Sequence, residues 1–574
     1  MTKTTATTEA QASLSLEVLL YGLVVLLAVW LRFAQLDLYP LTDREAEHAL
    51  AASATSDSRS ESPAYQALTS IAFTFRGESE TAARWAPALA GVLLVLTPAL
   101  LRSQIGRGPA FLSALLLAIS PVLWTASRAA DGTTLAALGI TAAFFLLVSG
   151  RIEWAGASLG LALVSGSAAL TGLASIGAAA GVFAILQRRR RRGSSAEVLA
   201  FPVSKSLAWR RGLIAGAVVA LFVGTGAGFF PGSVQGIFEG LGGWVSGWFQ
   251  RGGIAAITLL IALVAYEPLV AVIGGIGVVG KLRKGNALEA FFASWALGSL
   301  LVLILYRGRQ PADIVWIVIP LSVLAALVLS ALLERISQSE NVWLAVGFTG
   351  AIVALSAFAY LQLRAGVSGP ESFQTFLGFP THIVAAAMGL GLAVLALILL
   401  AVGWSREIAI PIAGAAAVLV LLVAGISAGA GLNFGDPTAR ELWRPQASTL
   451  GLNALRESIQ TLSRAETGRP EALPIEISDR PSPALTWATR DYPPHEGSGN
   501  PAIILVKEGA PLPGEYLGQS ITIGEGWGWI GGLPPDLLNW LVVRDLPTVA
   551  DRWVLLVRKD IAGVEEVLPV EPES

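Results

Sequence analysis

The chain contains no cysteine among its 574 residues, which excludes disulfides, thiolate metal sites and cysteine nucleophiles. Charge is scarce too. Asp, Glu, Lys and Arg make up 14% of the chain, against about 25% in a soluble globular protein. Histidine occurs three times, at His48, His382 and His495, too dispersed for a histidine-rich metal site. Any metal would rest on carboxylates, with one or two histidines at most. The formal net charge of −2 comes with no basic domain, so no nucleic-acid partner is expected. The polar start, "MTKTTATTEAQASLSLE", lacks the charged n-region and small-residue cleavage site of a signal peptide, and the apolar run after it reads as a retained span.

What fills the chain instead is apolar. Hydrophobic residues make up 54% and the mean hydropathy is +0.64. A bilayer crossing needs about 20 mostly apolar residues. Thirteen runs approach that length, near 17–34, 84–102, 109–126, 132–150, 153–169, 171–187, 212–230, 254–280, 288–306, 313–333, 341–361, 382–404 and 407–430. A polytopic α-helical membrane protein with about thirteen transmembrane helices is expected.

Basic residues in short loops stay cytoplasmic. Arg188 to Arg192, with Lys205, Arg210 and Arg211, mark one side, and Arg102, Arg107, Lys281, Arg283, Lys284 and Arg335 fall with them. The expected organisation is a cytoplasmic tail at 1–16 and a transmembrane domain at 17–430 with outer loops 35–83 and 231–253. An extracytoplasmic domain at 431–574 would follow. Trp244 and Trp248 lie one helical turn apart in the second of those loops, which suits an interfacial helix.

From Asn433 the composition becomes that of a soluble domain. "TLGLNALRESIQTLSRA" and "PPDLLNWLVVRD" have helical periodicity, and "LPIEIS", "AIILVK", "SITIG" and "RWVLLVRK" read as strands, a small α/β domain. One decoy lies inside a span. "GIGVVG", Gly275 to Gly280, fits a dinucleotide fingerprint but lacks the strand before it, and close helix packing explains it. Glu267, in "AYEP", lies within an apolar run, where an ionisable residue points to function.

The densest charge follows the first span. "PLTDREAEHALAA" places Asp43, Glu45, Glu47 and His48 within six positions. Carboxylates there can act as general base on an acceptor hydroxyl, and arginines elsewhere can pair with a departing phosphate.

"LRFAQLDLYPLTDREAEHALAA", "FRGESETAARWAPALAGVLLVL", "LLRSQIGRGPAFLSALLLAISPVLWTASRAADGTTLAAL" and "YRGRQPADIVWIVIPLSVLAA" together resemble the GT-C glycosyltransferases related to protein O-mannosyltransferases. Within that superfamily the chain is most similar to the flippase-activity-associated GT-C-like group, which also has outer C-terminal segments like "PALTWATRDYPP" and "RWVLLVRKD". The resemblance covers nearly the whole chain and implies a GT-C-like fold with a C-terminal extracytoplasmic α/β domain, in the plasma membrane. It departs from the family pattern at four places. Arg44 splits the adjacent acidic pair. Thr133 stands where relatives often carry an acid after Arg128 and Asp131. Glu61-Ser62-Pro63 replaces a His-Gly-Pro, and Arg309 follows Gly308 where an acid is expected.

The resemblance implies a transferase that moves a sugar from a polyprenyl-phosphate donor to an acceptor protein or glycan at the outer face, as in protein glycosylation by mannosyltransferase-like enzymes. Asp43 or Glu45 would be the catalytic base. Arg128, Asp131, Arg307 and Arg309 would hold the lipid phosphate. A divalent metal ion, if used, would sit on Asp43, Glu45 or His48. Arg84 is expected to pair with Glu78 or Glu80. The alternative is a catalytically degenerate relative that binds or helps translocate lipid-linked sugars, or serves as a membrane subunit among partner proteins.

Overall fold

The computed structural model describes residues 2–53, 60–191, 206–250, 253–338, 342–368, 375–376, 379–495, 500–510, 514–529 and 532–561. All thirteen apolar runs fold as helix. Two of the basic markers, Arg192 and Lys205, lie outside the described residues.

The number of full crossings is smaller than the number of runs. Among the described residues eight helices are long and apolar enough to span a bilayer, or nine if one bent pair counts as a span. Arg107–Ile119, Thr133–Val148 and Ile152–Leu163 are shorter apolar helices. A helix of 13 residues, such as Arg107–Ile119, reaches about 20 Å at 1.5 Å per residue, short of a bilayer core of about 30 Å. Pro121 opens a new helix directly after it, because proline sits comfortably at a first helical position but not inside a helix.

The bent pair is Ala256–Tyr266 and Pro268–Lys284, which turn by 103° at Glu267. Pro268 again is the cause. It has no N–H to continue the ladder and takes the first position of the second helix.

Packing in the bundle relies on small residues. Gly156 and Gly160 face Gly212 and Gly216 so closely that a Cβ on either of the first pair would collide with backbone of the second. That approach lets a Gly- and Ala-rich helix, Ile152–Leu163, bind its neighbour Ser206–Gly224 without bulky side chains. The GIGVVG stretch belongs to the helix Pro268–Lys284, and Gly277 packs against Leu324, as expected of a packing motif. The helix Pro311–Ser337 is the most buried span, while Leu19, Leu26 and Trp30 of the first helix remain exposed, as a lipid-facing surface requires. Trp244 and Trp248 belong to a helix or its end, Ser233–Gly247, but their rings face protein, against Tyr306 at 5.6 and 5.2 Å. Phe238 and Phe249 are the exposed aromatics there.

After the last span, Arg406–Phe434, the chain builds a five-stranded mixed sheet. The strand order is Gln446–Ser448, Tyr516–Trp527, Thr548–Arg558, Ile503–Lys507, Ile475–Ile477. One pair, Ile475–Ile477 with Ile503–Lys507, is parallel and the other three are antiparallel. The expected strands are present, but the sheet is mostly antiparallel: its two longest strands, Tyr516–Trp527 and Thr548–Arg558, pair antiparallel at its centre, with the helix Leu537–Val543 in the connection between them.

This domain docks on one end of the bundle through polar contacts that sequence alone does not reveal. Ser448 Oγ donates to the Leu41 carbonyl at 2.7 Å, Tyr39 Oη to the Gly435 carbonyl at 2.6 Å, and Tyr266 Oη to Glu441 at 2.6 Å. Trp487 stacks on Phe73 and donates its indole N–H to Glu80 at 3.1 Å. Arg490 pairs with Glu78, and Arg456 with Glu80. These partners correct the expectation for Arg84: Glu78 and Glu80 serve the C-terminal domain.

Candidate active site

The site is built on the helix Asp43–Ser53. The first helix ends at Phe33, and the next turn includes Gln35 at φ 51°, a left-handed conformation unusual outside glycine. That turn brings Thr42 to the start of the second helix. Thr42 N–H donates to Glu45 Oε2 at 2.9 Å, and Glu45 N–H points back at Thr42 Oγ1 at 3.4 Å. This is a capping box, Thr-x-x-Glu, legible as "TDRE" in the sequence.

Glu45 is then locked from every side. Arg84 grips both its oxygens, Nε to Oε1 and Nη2 to Oε2, each at 3.0 Å. Ala130 N–H donates to Oε1 at 2.9 Å. Arg84 spends its remaining donors on the carbonyls of Leu36, Tyr39 and Pro40, so the guanidinium is fully used. Burial alone would raise the Glu45 carboxyl; the Arg84 charge and the hydrogen bonds from Arg84, Thr42 and Ala130 outweigh it and lower the pKa. Glu45 is therefore an ionised anchor joining three segments of chain.

Its neighbours on the same helix part ways. Arg44 lines a cavity of about 150 Å³, together with Tyr39, Glu45, Arg84, Arg128, Asp131 and Arg444. Asp43 lines a second cavity, of about 250 Å³, against the C-terminal domain, where its Oδ1 accepts from Ala484 N–H at 3.1 Å. His48 points inward, its ring edge-on to Tyr65 at 5.8 Å. Burial, with Arg44 nearby, depresses its pKa to about 4, so it is neutral at pH 7.

The arginines expected to hold phosphate are engaged with backbone. Arg128 donates to the carbonyls of Leu31, Ala34 and Gln35 at 3.2, 2.6 and 2.8 Å. Those are the last carbonyls of the first helix and its turn, so Arg128 is a helix C-cap. Its planar face still borders the cavity beside Phe434. Arg309 caps the helix Ala287–Leu305 in the same way, on Leu303 and Ile304 carbonyls, and reaches Ile254 as well. Arg307 is exposed, and neither it nor Arg309 lines the cavity. Arg32, unremarked in the sequence, repeats the device on the carbonyls of Leu117 and Ala118 at the end of Arg107–Ile119. Glu267 does the opposite task. It accepts from Ser120 Oγ and from Val122 N–H, the latter at 2.9 Å, at the N-terminus of the helix Pro121–Ser127 that leads to Arg128.

Asp131 is buried in the turn before Thr133, whose N–H donates to its Oδ1 at 2.8 Å. Burial raises its pKa, against the lowering effect of Arg44 and Thr133. Arg444, from the linker into the C-terminal domain, donates to the Leu432 carbonyl and lies over the Tyr39 ring at 4.8 Å. No motif pointed to it, since its role depends on the domain folding back onto residue 39. The structure thus brings together Glu45, Arg128 and Asp131 of the expected residues, adds Arg44, Arg84 and Arg444, and leaves Asp43, Arg307 and Arg309 elsewhere. With four arginines against two carboxylates, the cavity suits an anion.

The expected metal ligands do not converge. Asp43 faces one cavity, Glu45 has its oxygens filled, and His48 packs on Tyr65. Among the described residues no group of three or more His, Asp or Glu side chains is placed to hold a metal ion.

No family model matches the chain. It is 38% identical over 94 residues to an undecaprenyl phosphate-alpha-4-amino-4-deoxy-L-arabinose arabinosyl transferase of Pseudomonas paraeruginosa, an alignment spanning 15% of this chain and 16% of that relative. Over the whole length the likeness is structural. ArnT from Cupriavidus metallidurans bound to undecaprenyl phosphate superposes with a TM-score of 0.53 at 16% identity, covering 95% of this chain and 99% of ArnT. Its apo state gives 0.52 at 16% identity, over 96% and 100%. The fold is therefore GT-C-like: a multi-pass helical membrane protein with a C-terminal mixed-sheet domain.

Proposed function

We propose that this protein is a GT-C-type glycosyltransferase that moves a sugar from a polyprenyl-phosphate donor to an acceptor, at the membrane face carrying the C-terminal domain. The observation that carries this reading is the arginine-rich cavity, which Arg44, Arg128 and Arg444 line together with the buried carboxyl of Asp131 at the junction of bundle and domain. The structural neighbour ArnT was solved with undecaprenyl phosphate, which supports a lipid phosphate as the anion. The basic loops favour an N-terminus in the cytoplasm of a plasma-membrane protein, with the catalytic face outside. The order of motifs favours the flippase-activity-associated branch.

In the proposed reaction the acceptor hydroxyl oxygen attacks the anomeric carbon. Its proton passes to Asp131, the bond from that carbon to phosphate oxygen breaks, and the polyprenyl phosphate leaves with the electron pair. Arginines stabilise the charge that develops on it. We assign the base to Asp131 because the oxygens of Glu45 are held by Arg84, Thr42 and Ala130, which makes Glu45 a positioning residue. Asp43 positions the C-terminal domain, whose cavity at Asp43 is the place for an acceptor protein or glycan.

Purified protein supplied with undecaprenyl phosphate carrying radiolabelled hexoses is expected to transfer label, and Asp131→Asn to reduce transfer about a hundredfold or more. Transfer at wild-type rate by that variant would remove the assignment. The commitment of Glu45 to Arg84 also favours a second reading, a non-catalytic binder of lipid-linked sugars; saturable donor binding with no transfer for any hexose would establish it.

A further inference from the structure

The four arginines of the cavity are not equivalent. Arg84 has all its donors engaged, Arg128 holds the end of the first helix, and Arg444 is tied to Leu432 and Tyr39. Arg44 is exposed, and among the described residues it forms no hydrogen bond or ion pair. It nevertheless stands in the cavity with Asp131.

A hard divalent cation needs several carboxylate oxygens converging on one point. Here Glu45 has none free, Asp43 turns to the other cavity, and the carboxylate left in this one, Asp131, shares it with the Arg44 guanidinium. Any added cation would have to share the cavity with that charge. The donor set does not fit a metal.

We infer that Arg44 is the resident cation of the site: its uncommitted guanidinium holds the phosphate of the lipid donor, so that donor binding needs no divalent metal. The inference rests on the transferase reading given above. When the bond from the anomeric carbon to phosphate oxygen breaks, the electron pair stays on phosphate, and Arg44 faces that charge with paired N–H donors. Arg84 and Glu45 keep the helix carrying Arg44 fixed while this happens.

The test uses the full chain in detergent, with undecaprenyl phosphate and Mn²⁺ as separate probes. Undecaprenyl phosphate affinity is expected to be the same in excess EDTA as in Mg²⁺. Arg44→Lys should hold it within about threefold, and Arg44→Gln should weaken it about tenfold or more, the loss expected for one charge-assisted contact. Mn²⁺ titration followed by electron paramagnetic resonance should give no saturable site in the wild type. A saturable Mn²⁺ site tighter than about 100 µM, a loss of lipid affinity in EDTA, or unchanged affinity in Arg44→Gln would each overturn the inference. If the wild type binds no undecaprenyl phosphate at all, the transferase reading fails, and a metal site found in the Mn²⁺ titration would separately reject Arg44 as the resident cation. Because Arg44 is exposed and has no hydrogen-bond or ion-pair partner among the described residues, both variants should melt with the wild type, so a lost affinity reads on binding.

Discussion

The two cavities that share the helix Asp43–Ser53 are opposites. One, at the membrane bundle, is lined by Arg44, Arg84, Arg128 and Arg444. The other, at the C-terminal domain, is lined by Asp43, Glu525 and Asp551. Residues adjacent in sequence, Asp43 and Arg44, serve different compartments because successive positions on a helix point about 100° apart. A crowd of charges in sequence is here sorted by helical angle into separate places: the C-terminal domain for Asp43, the arginine-rich cavity for Arg44, the Arg84 anchor for Glu45, and the inner packing for His48.

The comparison breaks most severely at the anchor. Arg84→Met leaves the Glu45 carboxylate buried without its cation, and about 3–5 kcal/mol of stability should be lost, seen as a large fall in melting temperature in detergent. Glu45→Gln keeps one acceptor oxygen, turns its NH2 towards the other donors and leaves Arg84 without its counter-charge, so a similar loss is expected. A Glu45→Gln variant that melts with the wild type would argue against the ion pair as the anchor.

Next in size is the inward face. The folded His48 has its pKa lowered to about 4 from about 6.5 in the unfolded chain. Between those values the unfolded chain binds the extra proton, so stability is complete above about pH 6.5 and falls as pH drops towards 4. The full span is on the order of 3 kcal/mol. His48→Gln should flatten the melting profile across that window, and an unchanged profile would assign the dependence to another group.

The smallest effect belongs to Asp43. Asp43→Ala removes one hydrogen bond to Ala484, worth about 1 kcal/mol. Faster amide exchange in the helix Pro483–Thr489 is expected, with undecaprenyl phosphate affinity unchanged. A matching loss of lipid affinity would mean that the two cavities act as one.

Much of this molecule was legible before its coordinates. The apolar runs are helices because length and hydropathy specify them, but the run 254–280 reads as one span, and the break at Pro268 appears only in the structure. The strands of the C-terminal domain followed from β-branched runs. The number of full crossings was not legible, since 12 to 16 apolar residues, as in Ile152–Leu163 and Thr133–Val148, suffice for a helix without sufficing for a span. In the site, the Thr42–Glu45 capping box is a local pattern, yet in sequence Glu45 reads as a catalytic carboxylate. The partner of Glu45 lies 39 residues away, and the carbonyls that engage Arg128 and Arg309 belong to helix ends fixed only by tertiary packing. An arginine beside an apolar run looks the same in sequence whether it meets a phosphate or a helix terminus.

The Arg84–Glu45 unit has a consequence for how the chain is made. It joins residues flanking a single loop, so the rear wall of the cavity can close once the second span has left the ribosome. Arg444 reaches the same cavity only after the last span, Arg406–Phe434, has been made. The pocket therefore has an early half and a late half in order of synthesis. It becomes complete only when the C-terminal domain folds back onto a loop that was finished long before.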